Sequence, residues 1–221
     1  MAATAAAVPA GASTASTASA ASAASDGSTG PAAAPHSRQM IRVTAPGYGT
    51  WHATLRAFAW RGGRWRYFGG PWPARLGYNG LAPRGAKREG DGRTPSGTFP
   101  LTFAFGVDRD PGTRLRWRHA ARWDVWDDDP SSRRYNLWTD RRRHDPGRDP
   151  EPLHVRPAYR DAIVIGYNLS RIPGRGSAIF LHVNHTGATS GCVSIARPHV
   201  VRLLRWLRPA EHPTIRIGVS R

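Results

Sequence analysis

The chain has 221 residues, with 32 Lys and Arg against 15 Asp and Glu, for a formal net charge of +17. That length suits one domain with a tail, or two very small domains, and 39% hydrophobic residues with nine Trp suffice for a real core, which excludes disorder throughout. No stretch approaches the roughly 18 uninterrupted apolar residues of a transmembrane helix, and the single cysteine, Cys192, excludes an internal disulfide framework and a multi-thiolate zinc site.

Residues 1–37 are low in complexity, with 16 Ala and 11 Ser or Thr, no Lys or Arg, and one acid, Asp26. So few large apolar groups cannot offset the entropy of ordering, so this stretch reads as a disordered tail, with the domain at 38–221. A basic n-region is missing, and no signal peptide is evident in the sequence as given. Even so, Ala5 to Ala12 (AAAVPAGA) resembles the end of an export signal with small-residue cleavage positions. All basic residues lie from Arg38 onward, and all but Lys87 are Arg, so the domain is strongly cationic and favours polyanionic surroundings: nucleic acid, acidic polymers, a cell wall or a membrane surface.

Strand signals dominate the domain. Met40–Val43 alternates, and Trp51–Trp60 is a longer aromatic-rich run. Gly62-Gly63 between that run and Trp65–Phe68 predicts a tight hairpin, because both central positions can take positive φ. Residues 105–160 read as long, polar, Arg-rich loops with Trp117, Trp123, Trp126 and Trp138 interspersed. Ala162–Tyr167 and Ala178–Val183 are near-continuous apolar runs, as expected of interior strands. Val200, Val201, Leu203, Leu204 and Leu207 have helical spacing, with Pro198 in a first turn and Pro209 as a stop. Thr214–Val219 alternates and forms a last strand. The expected fold is mostly β, with sandwich-like mixed sheets and one C-terminal amphipathic helix.

Chemistry concentrates in Phe180–Ile195, FLHVNHTGATSGCVSI. A strand delivers His182 near its end, a polar loop follows, and Ser190-Gly191-Cys192 opens the next apolar piece. A thiol needs a nearby base to become a nucleophile at neutral pH, and a His and a Cys at the two ends of one loop can be brought together. Gly191 permits a tight turn beside Cys192, and the amides of Gly191 and Cys192 are oxyanion candidates. Ser190, Thr189 and His185 are the expected substrate contacts.

Ser190-Gly191-Cys192-Val193, with His182 upstream on a strand, resembles the active-site motif of L,D-transpeptidase catalytic domains, the YkuD family. Thr94-Pro95-Ser96-Gly97-Thr98-Phe99 is similar to the family's Thr-Pro-x-Gly-x-Phe element. Trp126-Asp127-Asp128-Asp129-Pro130 with Tyr135-Asn136, and Gly176–His182, resemble elements of one bacterial branch; together the match spans roughly residues 75–219. Ser190 stands where better-known members often carry His, and Ser194 where Arg or Asn usually follows. The resemblance implies a sandwich-like β domain that cross-links or trims peptidoglycan stem peptides, in an extracytoplasmic, wall-associated or secreted location among anionic cell-wall polymers. Cys192 would attack the third, L-configured diamino-acid residue and expel the terminal D-alanine, with His182 as the base, oriented by the Val183 carbonyl. It implies no metal and no cofactor.

Three rival readings come from the residues. A metal-dependent hydrolase would use His182, His185, Cys192 and His199, although strand alternation points His182 and His185 to opposite faces. A nucleic-acid binder would use Arg141-Arg142-Arg143-His144 and the Trp residues, for which a solvated loop and core packing are the plainer roles; the expected partners include no nucleic acid. A catalytically inactive wall-binding module would have no need of a thiol beside a base. The triple aspartate before Pro130 reads most simply as a solvated turn. The excess of Arg has a measurable consequence: retention on isolated cell-wall sacculi should fall steeply between low and high salt. Co-sedimentation across a salt series checks this, and salt-independent retention would contradict an electrostatic anchor.

Overall fold

The computed structural model describes residues 36–183 and 187–220. The expected tail, apart from His36 and Ser37, lies outside the described residues, as does His185. The Ser37 hydroxyl donates to Gln39 O at 2.9 Å and lies 3.0 Å from Thr214 Oγ1, so ordered contacts begin one residue before the expected boundary.

Side-chain alternation builds the first strands. β1 (Gln39–Ala45) buries Ile41, Val43 and Ala45, and β2 (His52–Arg61) buries Ala53, Leu55 and Ala57. Gly62 and Gly63 take φ of 57° and 74°, and β3 (Arg64–Arg75) returns with Arg64 opposite Arg61, the two-residue hairpin expected from the sequence. Trp60 and Trp65 meet edge-on at its tip, with ring centroids 5.4 Å apart. The two-residue strands β4 (Leu81–Ala82) and β5 (Thr94–Pro95) pair in parallel and lead to β6 (Gly97–Gly106).

The segment read as loops carries β7 (Trp117–His119), β8 (Asp124–Asp127), β9 (Leu137–Asp140) and β10 (Glu151–Pro152). The last three form a small antiparallel sheet in the order β10-β8-β9. β11 (Ala162–Ile165) and β12 (Phe180–Val183) are buried at every position, which explains their continuous apolar runs. Each is two residues shorter than its run, because the ladder ends before Gly166 and Ala178 takes φ of 51°. After β13 (Val193–Ile195) comes α1 (Arg197–Trp206), with Pro198 in its first turn, then β14 (Thr214–Val219). α1 buries Val200, Leu203 and Leu204, and Trp206 stacks on Phe68 at 4.1 Å.

The mostly β, sandwich-like fold matches the expectation. The main sheet runs β11-β12-β13-β3-β2-β1-β14-β6-β7, and β11 also pairs with β6, so eight strands form a closed ring. Closure leaves those two strands no free edge at the join. Ala104 pairs with Ile163 and Leu101 with Ile165, three residues against two, so β6 bulges at the join.

Two cores follow from this closure. Leu181, Val183, Ile163, Val193 and Ile195 point into the ring with Ile41, Leu55 and Ile215. Phe180, Ala162, Val164 and Phe105 point outward and are covered by Trp126, Trp138, Leu153 and Tyr159 from the former "loop" region. Phe180 is the hub of this second core, with ring centroids 5.2 Å from Phe105, 5.1 Å from Trp126 and 5.6 Å from Tyr159. Phe180→Ala should therefore cost about 3–5 kcal/mol, whereas Leu169→Ala, at a side chain 62% exposed, should stay within about 0.5 kcal/mol. Denaturant unfolding of both variants checks the contrast.

Candidate active site

β12 and β13 pair in parallel, with Leu181 beside Val193 and His182 beside Ser194. Cys192, one residue before β13, is level with Phe180, so alternation puts Phe180, His182, Cys192 and Ser194 on the outer face. Cys192 and His182 are each 8% exposed and line one cavity of about 390 Å³ together with Ser194. The two ends of the loop thus bring the thiol and the imidazole onto one wall.

The imidazole is held in one orientation. His182 Nδ1 lies 2.9 Å from Val183 O; a carbonyl only accepts, so Nδ1 carries the hydrogen and the neutral ring keeps its lone pair on Nε2. The Tyr159 ring meets the His182 ring edge-on at 5.4 Å, and its hydroxyl donates to Glu151 Oε1 at 2.8 Å. Burial lowers the His182 pKa to about 4, despite the opposing Val183 bond. Burial likewise raises the Cys192 thiol to about 12, against the stabilising Phe180 amide. Both shifts favour the uncharged forms, so the resting pair is thiol and neutral imidazole, not thiolate and imidazolium.

The sulfur has backbone partners of its own. The Phe180 amide donates to Cys192 Sγ, and the thiol donates to Ala178 O, both at 3.3 Å. The Cys192 carbonyl is clamped by two hydroxyls, Thr94 Oγ1 at 3.1 Å and Thr189 Oγ1 at 2.7 Å. Thr94 is fully buried and also accepts the Gly77 amide at 2.8 Å. The loop is pinned from its other side by Thr189, whose amide donates to Leu76 O while its carbonyl accepts from the Tyr78 amide.

Gly191 takes φ of 143°, and a Cβ there would lie 3.1 Å from Arg93 O, so the tight turn expected from the sequence requires glycine. Its amide, however, already donates to Thr189 Oγ1 at 3.2 Å. Of the two expected oxyanion donors, Gly191 is therefore engaged within its own turn. Ser190 and Thr189 line the cavity as expected, while His185 lies outside the described residues.

Several wall residues escaped the sequence reading. Glu89, Asp128 and Glu151 line the cavity with Lys87. Reading the triple aspartate as a solvated turn is corrected here. Asp127 is fully buried and accepts the Ser132 hydroxyl, because the surrounding strands β8 and β9 are interior. Asp128 faces the cavity, and burial, followed by repulsion from Glu89, raises it to about 7. Glu89 Oε2 accepts the hydroxyls of Tyr135 and of Ser177, and the Tyr135 hydroxyl oxygen accepts the Gly176 amide at 3.0 Å. Trp126 Nε1 donates to Asn136 Oδ1 at 2.8 Å, which also accepts the Ala178 amide at 3.3 Å. The sequence elements around Trp126, Tyr135-Asn136 and Gly176–Ala178, joined by Glu89, are thus one bonded wall.

The residues of the rival readings have other occupations. His199 stacks on Trp72 at 4.5 Å, and Arg142 is paired with Asp140 at 2.7 Å and lies 3.8 Å over the Trp123 ring. Among the described residues no group of three or more His, Cys, Asp or Glu side chains is placed to hold a metal ion, and no helix is long and apolar enough to cross a membrane. A search of curated proteins returns no match. The family model of the L,D-transpeptidase catalytic domain, YkuD, matches residues 53–217, which takes in the main-sheet strands from β2 to β14 and both walls of the cavity. With that share of its length matched, the chain belongs to the L,D-transpeptidase catalytic domain (YkuD) family.

Proposed function

We propose that the protein is a cysteine-dependent L,D-transpeptidase acting on peptidoglycan stem peptides outside the cytoplasm. The observation that carries this reading is the Cys192–His182 pair: two side chains on one face of neighbouring strands, opening into one cavity, with the imidazole fixed by Val183 O. The stem's third, L-configured diamino-acid residue presents its carbonyl to Cys192 Sγ. The S–C bond forms as His182 Nε2 takes the thiol proton. The tetrahedral adduct then expels the terminal D-amino acid, whose nitrogen receives that proton from His182. An amine of a second stem, or water, attacks the thioester in turn. It gives up its proton through His182, and the proton returns to sulfur as the C–S bond breaks.

The Cys192 amide takes the oxyanion role, since that of Gly191 is engaged by Thr189. Such a donor contributes on the order of 3 kcal/mol to the transition state. The double clamp on the Cys192 carbonyl fixes the peptide plane that follows the nucleophile and so helps to set the sulfur's position. Thr94 and Thr189 are therefore positioning residues.

A neutral resting pair gives a particular pH signature. A thiol raised to about 12 holds little thiolate at pH 7, and the fraction grows about tenfold per pH unit until the pKa is reached. Alkylation of Cys192 by iodoacetamide should therefore climb from pH 7 to pH 10 without the neutral plateau that an ion pair would give. Cys192→Ala and Cys192→Ser should both abolish release of the terminal D-amino acid. His182→Ala should slow that release by orders of magnitude, while His185→Ala leaves the alkylation profile where it was. Mass spectrometry of stem-peptide products and pH-resolved alkylation test these outcomes. A profile moved by His185→Ala and not by His182→Ala would transfer the base role to His185.

A further inference from the structure

Between α1 and β3, away from the Cys192–His182 cavity, lies a groove of about 420 Å³. Arg114, Arg202, Arg205 and Arg208 line it together with Phe68 and Trp206, whose rings stack at 4.1 Å. No Asp or Glu among the described residues lines it.

Several arginines elsewhere on the surface are neutralised where they stand. Arg38 and Arg61 share Glu211, Arg156 and Arg160 share Asp108, Arg142 pairs with Asp140, and Arg197 pairs with Asp161. None of the four groove arginines has a carboxylate partner among the described residues. Two are held by uncharged groups instead. Arg202 donates to Phe68 O at 3.3 Å and lies 5.2 Å over the Phe68 ring, and Arg205 Nε donates to Pro111 O at 2.7 Å. A carbonyl and a ring face orient a guanidinium without cancelling its charge. Arg114 and Arg208 are anchored through their backbone amides, which donate to Leu204 O at 3.3 Å and to Gln39 Oε1 at 2.7 Å. The acids nearest to them in sequence are engaged elsewhere: Asp110 accepts the Gly112 and Thr113 amides, and Glu211 is held by Arg38 and Arg61.

The layout of the charge points to the shape of the ligand. Arg202, Arg205 and Arg208 recur every three residues along α1 and just past its end, a rise of about 4.5 Å per step within a helix. Arg114 adds a fourth charge from the segment before β7. A single small anion is best held by donors that converge on one point. A row of oriented guanidinium forks instead suits a linear polymer with repeated oxyanions, and each phosphodiester can take two parallel N–H···O bonds from one fork.

We propose that this groove binds a phosphodiester polymer of the cell wall and so holds the protein beside its substrate through a surface separate from the reacting pair. The groove and the Cys192–His182 cavity share no lining residue. The choice of partner rests on the extracytoplasmic setting proposed above, whereas the binding is measured without turnover.

Full-length protein is titrated calorimetrically, over a salt series, with a short glycerol-phosphate oligomer and with polyglutamate and oligothymidylate of equal charge. One variant carries Arg114→Gln with Arg208→Gln, which removes two charges from the groove and spares the guanidinium groups that hold carbonyls. A control carries Arg141→Gln with Arg143→Gln, which removes two charges from the loop after β9. The groove variant should bind the glycerol-phosphate oligomer about tenfold or more weakly, with a shallower salt dependence. The control should stay within about twofold of wild type, because distant surface charges are screened. Release of the terminal D-amino acid from a soluble stem peptide should be equal in wild type and groove variant. Equal losses in both variants would reduce the effect to total charge and overturn the groove, as would no binding of the oligomer. Equal or tighter binding of polyglutamate or oligothymidylate would overturn the phosphodiester wall polymer as the partner. Oligomer binding lost only in the groove variant, with no release from the stem peptide by the wild type, would strike the proposed reaction and leave the groove standing.

Discussion

The site depends on the way residue 192 is held. Its carbonyl accepts two threonine hydroxyls, its sulfur sits between the Phe180 amide and the Ala178 carbonyl, and the glycine before it occupies a backbone region that side chains rarely adopt. Those contacts come from β5, β12, the loop before β13 and the strained approach to β12. No single element positions the thiol; closure of the ring and coverage of its outer face do so together. The two cores divide the work. The interior core holds β12 and β13 in register from below, and the Phe180-centred core covers the outer face up to the edge where the cavity opens.

Desolvation on that face determines how the pair works. With the imidazole near 4 and the thiol near 12, the ionised pair lies uphill from the neutral one, and the buried cavity offers few charges to reverse that. Lys87 lowers the thiol, but it is the smallest contribution there and is already committed to Asp91. In the proposed reaction the imidazole therefore acts during bond formation, when the developing charge on the carbonyl oxygen and on the ring can be stabilised together. The fixed tautomer matters for this reason: Val183 O leaves only Nε2 available, and no reorientation is needed between taking the proton and returning it.

Much of this was legible in the sequence, for identifiable physical reasons. Alternation marked β1 and β14, the glycine pair marked the β2–β3 turn, helical spacing with Pro198 marked α1, and two unbroken apolar runs marked strands buried on both faces. β6 gave no comparable signal. It contains Pro100, bulges at its join with β11, and pairs with β14 over one part and with β7 over another, so no single period runs through it. The β8–β10 sheet was hidden by its own polar residues. Asp124, Asp127, Thr139 and Asn136 are buried because Trp138 Nε1, Ser132, Arg134 and Trp126 satisfy them. A local pattern that scores Asp as solvated cannot see a partner that the fold supplies. That Cys192 and His182 share one wall was legible because the two ends of one loop can be brought together, whereas Asp128 is one of three identical neighbours and only the fold tells them apart.

The charge distribution then has a single physical logic. Thirty-two basic side chains, nearly all Arg, make the surface attractive to polyanions. The cavity beside Cys192 has the opposite sign, lined by Glu89, Asp128 and Glu151 against Lys87 alone. Burial there raises the pKa values of Asp128 and Glu151. In that sense the acidic wall and the neutral Cys192–His182 pair are two results of one desolvated cavity. Burial disfavours charge on the thiol and on the imidazole, and it disfavours charge on Asp128 and Glu151 beside them.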